Sequence, residues 1–471
     1  MSDLTFLSAR AMAEQIRKKK LSPIELIDAH LAHIENLNPR LNAFVQVDAN
    51  GARNAARAAE AAVHRGDSLG PLHGVPISIK SSIAVAGMLN ECGTRLRAGL
   101  VAEQDAVLVA RLRAAGAIIL GVTNTPEYLM AWETDNLIHG RTNNPWDLSR
   151  TAGGSSGGES AAIASGCSAA GVGSDGGGSI REPAHFAGIC GLKPTPGRIP
   201  TTGHFPSSAG PFALLGVVGP MARTIADLQL MFEAMAGPDD GDSSSAPVPV
   251  REISPADLKA TRIGYFEDDD RTPVTSETRQ AVRAAAEALR TAGFQVTPLR
   301  PDNLERIRQL WWKLFGIAGG MMLRPLTQGC ESQLSPIFKE YSGWVAAEPP
   351  HTGQSLLNTW VERDILRTGF LAQMRQFPIL LCPVAAIPAF HHGERAWTID
   401  GKTVHYLDAW SYTEWFNLLG NPAAVVPVGK SSEGLPIGVQ IVGRPWQEEL
   451  VLAVATELEK SAGGYCKPPI D

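Results

Sequence analysis

The stretch Gly171–Pro183, which reads GVGSDGGGSIREP, contains the residues with the clearest potential for chemistry. Ser179 follows three consecutive glycines, and a run of residues without a Cβ lets several backbone N–H groups converge on one point. Such a turn forms a concave anion site, and a hydroxyl at its end is where an acyl-transfer enzyme combines a nucleophile with an oxyanion hole. Taken alone the pattern is ambiguous, because most glycine- and serine-rich segments are ordinary loops.

The same letters contain a competing motif, because Gly171, Gly173 and Gly176 match the dinucleotide-binding pattern G-x-G-x-x-G. That pattern requires an acidic residue roughly 20 positions further along the chain. Pro196 occupies that position, and its neighbours are not acidic. We therefore interpret the match as coincidental.

Two further segments make the pattern more specific. Thr151–Ser160, TAGGSSGGES, places Ser155 and Ser156 between glycine pairs, and Gly70–Ser82, GPLHGVPISIKSS, contains Lys80 at the end of an alternating apolar run. A single lysine after a short strand is usually a solvated edge residue. A lysine, a glycine-flanked serine pair and a GGGS turn in this order are far more specific than any of the three alone.

These segments resemble the amidase signature family, most densely over Leu72–Arg223 and again over Tyr412–Gly443. The resemblance implies that Ser179 is the catalytic nucleophile, Ser155 a bridging serine and Lys80 the base. It also implies an α/β fold in which a large mixed β-sheet core is sandwiched by α-helices. The alternation of short apolar strands and helices along the chain independently favours α/β layers around a mixed sheet.

Further roles follow from the same resemblance. The peptide bond between Gly154 and Ser155 is expected to be cis, and the backbone oxyanion hole is expected at Gly176, Gly177 and Gly178. Lys80 must be neutral to accept a proton, so burial must lower its pKa from a reference value of about 10.4. Ser156, Asp175 and Arg181 are predicted to support this network rather than to react.

A Ser-His-Asp hydrolase is an alternative, because Gly153–Gly157 formally matches G-x-S-x-G with Ser155 at its centre. The flanking glycines and the later GGGS turn fit the lysine arrangement better. Substitution of each histidine in turn separates the two mechanisms, since a triad enzyme must lose activity with one of them.

Two segments are candidates for the substrate pocket. The family's equivalent of the loop Thr123–Asn136 passes beside the nucleophile, which makes acyl-pocket residues of Tyr128, Leu129 and Met130; a surface loop with one buried aromatic is the alternative. The aromatic, mostly helical region Arg306–Gln376 supplies two further candidates, Trp311 and Phe315. An aromatic stripe of this kind is more commonly part of a core, and both interpretations stay open.

Composition excludes several classes of protein. The chain has 471 residues, 44% of them hydrophobic, a net charge of −6 and no basic block, which argues against binding to nucleic acid or to an anionic membrane. Six cysteines without a C-x-x-C pair predict neither a zinc nor a dithiol site and suit a cytoplasmic protein. The adjacent His391 and His392 lack further ligands at fitting spacing. We expect no metal and no cofactor.

The order of the segments predicts five regions. An N-terminal helical segment (1–66) packs on an amidase signature core with the catalytic residues (67–236). A Gly-, Ser- and Pro-rich linker (237–250) leads to a variable region that forms pocket walls (251–400), and a C-terminal part (401–471) returns to the core sheet.

The predicted function is an amidase that hydrolyses small-molecule amides through an acyl-enzyme, as a monomer or homodimer. Members of the family also act on esters and carbamates (urethanes). The alternative is the glutaminase subunit of a tRNA-dependent amidotransferase complex. Against it, the segment Trp311–Leu323 is apolar where a glutamine pocket would need charged groups. A catalytically inactive binding protein is disfavoured because Lys80, Ser155 and Ser179 are all present.

Overall fold

The predicted alternation of strands and helices is present in a computed structural model, which describes residues 2–470. The strands in these residues are β1 (Phe44–Val47), β2 (Pro76–Lys80), β3 (Ile118–Thr123), β4 (Asn143–Asn144), β5 (Asp147–Thr151), β6 (Ala170–Asp175), β7 (Cys190–Lys193), β8 (Val217–Ala222), β9 (Arg262–Tyr265), β10 (Gln295–Pro298), β11 (Ile379–Pro383), β12 (Ala396–Ile399), β13 (Lys402–His405), β14 (Ala423–Lys430) and β15 (Pro436–Gly443).

The α-helices cover both faces of the sheet that these strands build. In chain order they are α1 (Ser2–Thr5), α2 (Ala9–Arg17), α3 (Pro23–Leu41), α4 (Ala49–Arg65), α5 (Val107–Ala114), α6 (Gly157–Ala164), α7 (Arg181–Ala187), α8 (Pro211–Leu215), α9 (Ile225–Met235), α10 (Pro255–Ala260), α11 (Ser276–Thr291), α12 (Leu304–Trp311), α13 (Gly319–Thr327), α14 (Pro336–Ala346), α15 (Gly353–Gln373), α16 (Ser411–Leu418) and α17 (Glu448–Ala462). A π-helical segment, Trp312–Ala318, joins α12 to α13.

Eleven strands form one mixed sheet in the order β1-β3-β2-β6-β8-β7-β14-β15-β11-β9-β10. The neighbours β3, β2 and β6 are parallel, whereas β6-β8-β7-β14-β15-β11 is an antiparallel run. In the register of β2 and β6, Ile79 lies opposite Val172. Since parallel strands end at the same edge of a sheet, Lys80 at the end of β2 lies beside Ser174 near the end of β6.

Several local expectations need correction. The first 66 residues were expected to be helical, but they contain β1, which pairs antiparallel with β3 at the edge of the sheet. Pro39 was expected to stop its helix, yet α3 continues to Leu41 and ends at Asn42 in a left-handed conformation. Residues 255–260 form α10, so the strand predicted from Lys259 begins only at Arg262.

Two hydrophobic clusters pack on the sheet and differ in character. The larger one is aliphatic and joins α2, α5, α9, α11 and α17 to the central strands. The other is rich in aromatic rings, including the fully buried Trp410, Trp415 and Phe416 on and next to α16. This aromatic cluster contacts the glycine turn that precedes Ser179, so it bears directly on the site.

Candidate active site

Lys80 lies at the centre of a cluster of serine hydroxyls. Its Nζ is 2.7 Å from Ser155 Oγ, 2.9 Å from Ser156 Oγ and 3.1 Å from Ser174 Oγ. Ser155 and Ser156 directly precede α6, and the peptide bond between Gly154 and Ser155 is cis, as the resemblance implies. A side chain 75 residues upstream of Ser155 thus contacts the serine pair directly.

The electrostatic environment of Lys80 is that of a base. The side chain is fully buried, and burial lowers its pKa to about 7, against weaker opposing contributions from Cys92, Asp175 and Glu159. Glu159 itself accepts hydrogen bonds from Ser78 and Thr123, and burial raises its pKa to about 7. A neutral amine is therefore a major species of Lys80 at neutral pH.

Ser179 occupies the position between the glycine turn and α7. It lines one cavity together with Ser155, and it is 8% exposed, so a substrate can reach it. Within residues 2–470 the Ser179 hydroxyl has no hydrogen-bond partner. The contact between Ser155 and Ser179 that a proton relay needs is therefore open in the substrate-free protein, as catalytic hydrogen bonds commonly are before substrate binds.

The glycines before Ser179 are required by what packs against them. A Cβ on Gly176 would lie 2.3 Å from the Phe315 ring, and one on Gly177 would lie 2.4 Å from the Trp311 ring. Gly178 has a φ of 117°, and its Cβ would meet Thr413. The GGGS pattern is thus explained by close approach of side chains from distant segments and by one left-handed backbone position.

The N–H groups of the turn divide into two sets. Those of Gly178, Ile180 and Arg181 donate to the Asp175 carboxylate, at 2.8 Å, 3.1 Å and 3.4 Å. In the described part of the chain, the N–H groups of Gly176, Gly177 and Ser179 have no acceptor. The expected oxyanion hole at Gly176, Gly177 and Gly178 therefore needs a correction, because the Gly178 N–H is already engaged.

Asp175 and Arg181 hold this turn in shape. They form a two-pronged ion pair, 3.0 Å from Arg181 Nε to Asp175 Oδ2 and 2.9 Å from a terminal nitrogen to Oδ1, with both side chains fully buried. Burial alone would raise the pKa of Asp175, but the Arg181 guanidinium holds it well below its ordinary value. Arg181 also contacts Gln440 on β15 and Asn417 on α16, which ties the turn to the C-terminal strands.

The residues predicted for the acyl pocket separate into two groups. Tyr128, Leu129, Met130 and Phe315 line the same cavity as Ser179, which we call the catalytic cavity. Tyr128 and Leu129 have φ angles of 51° and 69°, and non-glycine residues held in this region are typical of functional sites.

Trp311 belongs to a neighbouring space. It lies with Trp132, Trp312 and Trp344 around an aromatic passage, which shares Ser179, Leu129, Met130 and Phe315 with the catalytic cavity. Beyond Trp312 and Trp344 the passage opens into a charged vestibule of about 690 Å³. Trp311 is only 2% exposed, and its indole N–H is bonded to the glycine turn.

No histidine hydrogen-bonds to Ser155 or Ser179 within residues 2–470. His204 is the nearest candidate, because it lines the catalytic cavity, but its ring nitrogens contact Pro206 and Ser82. Burial lowers the pKa of His204 to about 4. His185 is buried and engaged by Ile387 and Gly438. The geometry thus favours the lysine arrangement over a histidine triad.

Sequence reasoning missed several residues of the site. Ser174 was inside the quoted motif without being singled out, although its place near the end of a strand parallel to β2 was a usable signal. Thr125 fixes the Ser155 carbonyl at 2.8 Å, and Glu182 accepts the Gly154 N–H at 2.9 Å. Nothing in the periodicity of the sequence marks these two contacts.

Comparison with known proteins agrees with this geometry. The Amidase family model matches residues 25–452. Indoleacetamide hydrolase of Bradyrhizobium diazoefficiens is 34% identical, covering 97% of this chain and 86% of that protein. Acylamidase of Rhodococcus erythropolis is 35% identical over 100% and 98%. A glutamyl-tRNA(Gln) amidotransferase subunit of a Synechococcus strain is 32% identical over 98% and 93%.

A solved structure supports the fold directly. A bacterial aryl acylamidase of the amidase signature enzymes superposes with a TM-score of 0.85 at 26% identity, over 97% of this chain and 96% of that one. The chain belongs to the amidase family. It is an amidase, a hydrolase that acts on the carbon–nitrogen bonds of amides.

Two further features concern membranes and metals. Among residues 2–470, none of the helices combines the length and the apolar character that crossing a membrane requires. The same residues contain no group of three or more His, Cys, Asp or Glu side chains placed to hold a metal ion.

Proposed function

We propose that this amidase cleaves apolar and aromatic amides through an acyl-enzyme on Ser179, with Ser155 as the bridging serine and Lys80 as the base. The observation that carries the proposal is the 2.7 Å contact from Lys80 Nζ to Ser155 Oγ, inside a fully buried pocket whose mouth is the cavity that holds Ser179. A neutral lysine, a relay hydroxyl and an accessible hydroxyl follow one another in the order that nucleophilic catalysis needs.

The proton path follows from these contacts. When Lys80 is neutral, Ser155 donates its proton to Nζ and accepts the proton of Ser179, whose oxygen attacks the amide carbon. The electron pair of the C=O bond moves to oxygen, where the N–H groups of Gly176, Gly177 and Ser179 stabilise it. The ammonium of Lys80 then returns a proton through Ser155 to the leaving amine, and water later releases the acid from Ser179 in the reverse sequence of proton transfers.

The preference for uncharged substrates rests on the lining of the catalytic cavity. Apart from Asp175, which is paired with Arg181, and the neutral His204, its described side chains carry no charge. Phe212, Phe315, Tyr128 and Met130 supply most of the apolar surface. Such a wall suits an aryl or alkyl group of an amide, a carbamate or an ester.

The glutaminase component of an amidotransferase is the second candidate, favoured by the 32% identity to the Synechococcus amidotransferase protein. Glutamine carries an ammonium and a carboxylate, and each needs a charged partner when it is buried. The charged side chains of this region lie in the vestibule beyond Trp312 and Trp344, away from the catalytic cavity. The lining therefore favours the self-sufficient amidase.

The test combines one variant with a substrate comparison on the purified chain. Ser179→Ala should reduce hydrolysis by roughly 10⁴-fold or more, and mass spectrometry should find a fluorophosphonate attached to Ser179 in the unmodified protein. Anilides, fatty amides, carbamates and glutamine are compared, and an aryl or alkyl amide should be hydrolysed far faster than glutamine. Labelling of another residue, or a clear preference for glutamine, would overturn the proposal.

A further inference from the structure

The Trp311 side chain contacts the glycine turn through its indole N–H, which donates to the carbonyl oxygen of Gly176 at 2.8 Å. In a trans peptide unit the C=O and N–H bonds are coplanar and point in opposite directions. A donor fixed on the Gly176 carbonyl therefore fixes the direction of the Gly177 N–H, which belongs to the same peptide unit. That N–H is one of the three that have no acceptor within residues 2–470.

The other two free N–H groups are held in the same way. Asn417 Nδ2 donates to the Asp175 carbonyl at 3.1 Å, and this carbonyl shares a peptide unit with the Gly176 N–H. The Glu182 N–H donates to the Gly178 carbonyl at 2.7 Å, and this carbonyl shares a unit with the Ser179 N–H. Each N–H that faces the substrate thus has a donor on the opposite side of its own peptide plane.

We propose that Trp311 is a positioning residue of the oxyanion hole, acting through the Gly176–Gly177 peptide unit. The inference rests on the proposed function, because it assigns these N–H groups to the oxyanion. Glycines lack the side chains that restrain a backbone, so the orientation of this unit must come from outside. A hydrogen bond to its carbonyl also polarises the unit and makes its N–H a stronger donor.

The packing around Trp311 fits this role. Its ring stacks on Phe315 with centroids 5.0 Å apart and covers the Cα of Gly177. Trp132 donates its own indole N–H to the Gly177 carbonyl at 3.0 Å, and the Trp132 and Trp311 rings lie 6.0 Å apart. The indole of Trp311 is therefore held rigidly against the turn, and it can transmit that rigidity to the peptide plane.

Trp312 is the matched control. It follows Trp311 in the chain and lines the same passage and vestibule, but in the described chain its indole N–H does not bond to the turn. Both residues can contact substrate, whereas Trp311 alone of the two touches the oxyanion hole. Trp311→Phe and Trp312→Phe each keep an aromatic ring and remove an indole N–H.

The experiment measures kcat and KM of the full chain on a series of aryl amides, alkyl amides and esters. It also measures the affinity of a trifluoromethyl ketone, to which Ser179 adds to form a tetrahedral oxyanion. Trp311→Phe should lower kcat/KM about 10-fold on every substrate, mainly through kcat, and weaken the ketone by a similar factor. Trp312→Phe should change the substrates unequally and the ketone little.

The inference is overturned if the losses in Trp311→Phe depend on the substrate while the affinity of the ketone is retained, or if they match those of Trp312→Phe. Should Trp311→Phe fail to fold, β-(3-benzothienyl)alanine at position 311 keeps the bicyclic ring and replaces only the N–H; unchanged kcat in that protein would refute the role. Activity in Ser179→Ala would instead refute the proposed function, which separates the two failures.

Discussion

Two lysines are fully buried in this protein, Lys80 at the end of β2 and Lys193 at the end of β7. Burial lowers the pKa of both to about 7. Lys80 faces the hydroxyls of Ser155, Ser156 and Ser174, whereas Lys193 donates to the Pro194 carbonyl at 2.9 Å. A hydroxyl can pass a proton on and a carbonyl cannot. Burial poises a lysine for proton transfer, and its neighbours decide whether the transfer occurs.

The largest difference between the two lysines is expected in amide hydrolysis. Lys80→Met removes the base and the acid that protonates the leaving amine, so kcat/KM for an anilide should fall by about 10²- to 10⁴-fold. Lys193→Met keeps the hydroxyl cluster and should lose less than about tenfold, since the proton path stays intact. Steady-state kinetics of both variants, with melting curves as a check on folding, measure this. Equal losses would remove the distinction between the two sites.

A smaller loss is expected when Lys80→Met is tested on an ester with the same acyl group. An alkoxide or phenoxide leaves with less help from an acid than an amine does, so only the deprotonation of Ser179 suffers. The ratio of ester to amide kcat/KM should therefore rise in Lys80→Met and stay constant in Lys193→Met. A constant ratio in both would show that Lys80 does not protonate the leaving group.

The region around Lys80 could be predicted from the sequence, and much of its surroundings could not. Lys80, Ser155 and Ser179 sit in short motifs whose glycines restrict the local backbone, so type and spacing were informative. Which N–H Asp175 would occupy could not be predicted, because glycines permit many orientations of the turn. Periodicity does not reveal which carbonyl the indole of a distant residue such as Trp311 will reach.

The fold follows the same division. The buried strands β2 and β3 and the helix α9, with its Thr224 cap, were predictable from apolar runs and capping residues. The strand β1 has four residues and gains its place by pairing with β3, so its own sequence carries little signal. The π-helical segment Trp312–Ala318 is likewise a product of packing beside the site.

The hydroxyls around Lys80 give a more modest test. Ser174→Ala removes one acceptor of the Lys80 ammonium, which favours the neutral amine and shifts the pKa downward. We expect the rising limb of the pH profile to move to lower pH and kcat to fall by about tenfold or less, since Lys80 also loses part of its orientation. Ser160→Ala is the control, because that hydroxyl bonds to Ala152 and Gly157 instead. A shift of the same size in Ser160→Ala would contradict the assignment.

The smallest effect on activity, and a clear one on stability, is expected from Lys193→Met. In the folded protein Lys193 loses its proton near pH 7, whereas in the unfolded chain it keeps it up to about pH 10.4. The unfolded state binds the extra proton, so the free energy of unfolding rises with pH across this window. Lys193→Met should reduce that slope by about 1.4 kcal/mol per pH unit in urea unfolding between pH 7.5 and 9.5. An unchanged slope would mean that Lys193 stays charged when buried.

The central claim is that Lys80 is the base, and the pH profile of kcat/KM tests it most directly. Activity needs neutral Lys80, so it should rise with pH through about 7 and remain high at alkaline pH, in the unmodified protein and in Lys193→Met alike. The residual activity of Lys80→Met should lack this limb. A limb near pH 4, where His204 titrates, or a limb near 7 that persists in Lys80→Met, would contradict the account.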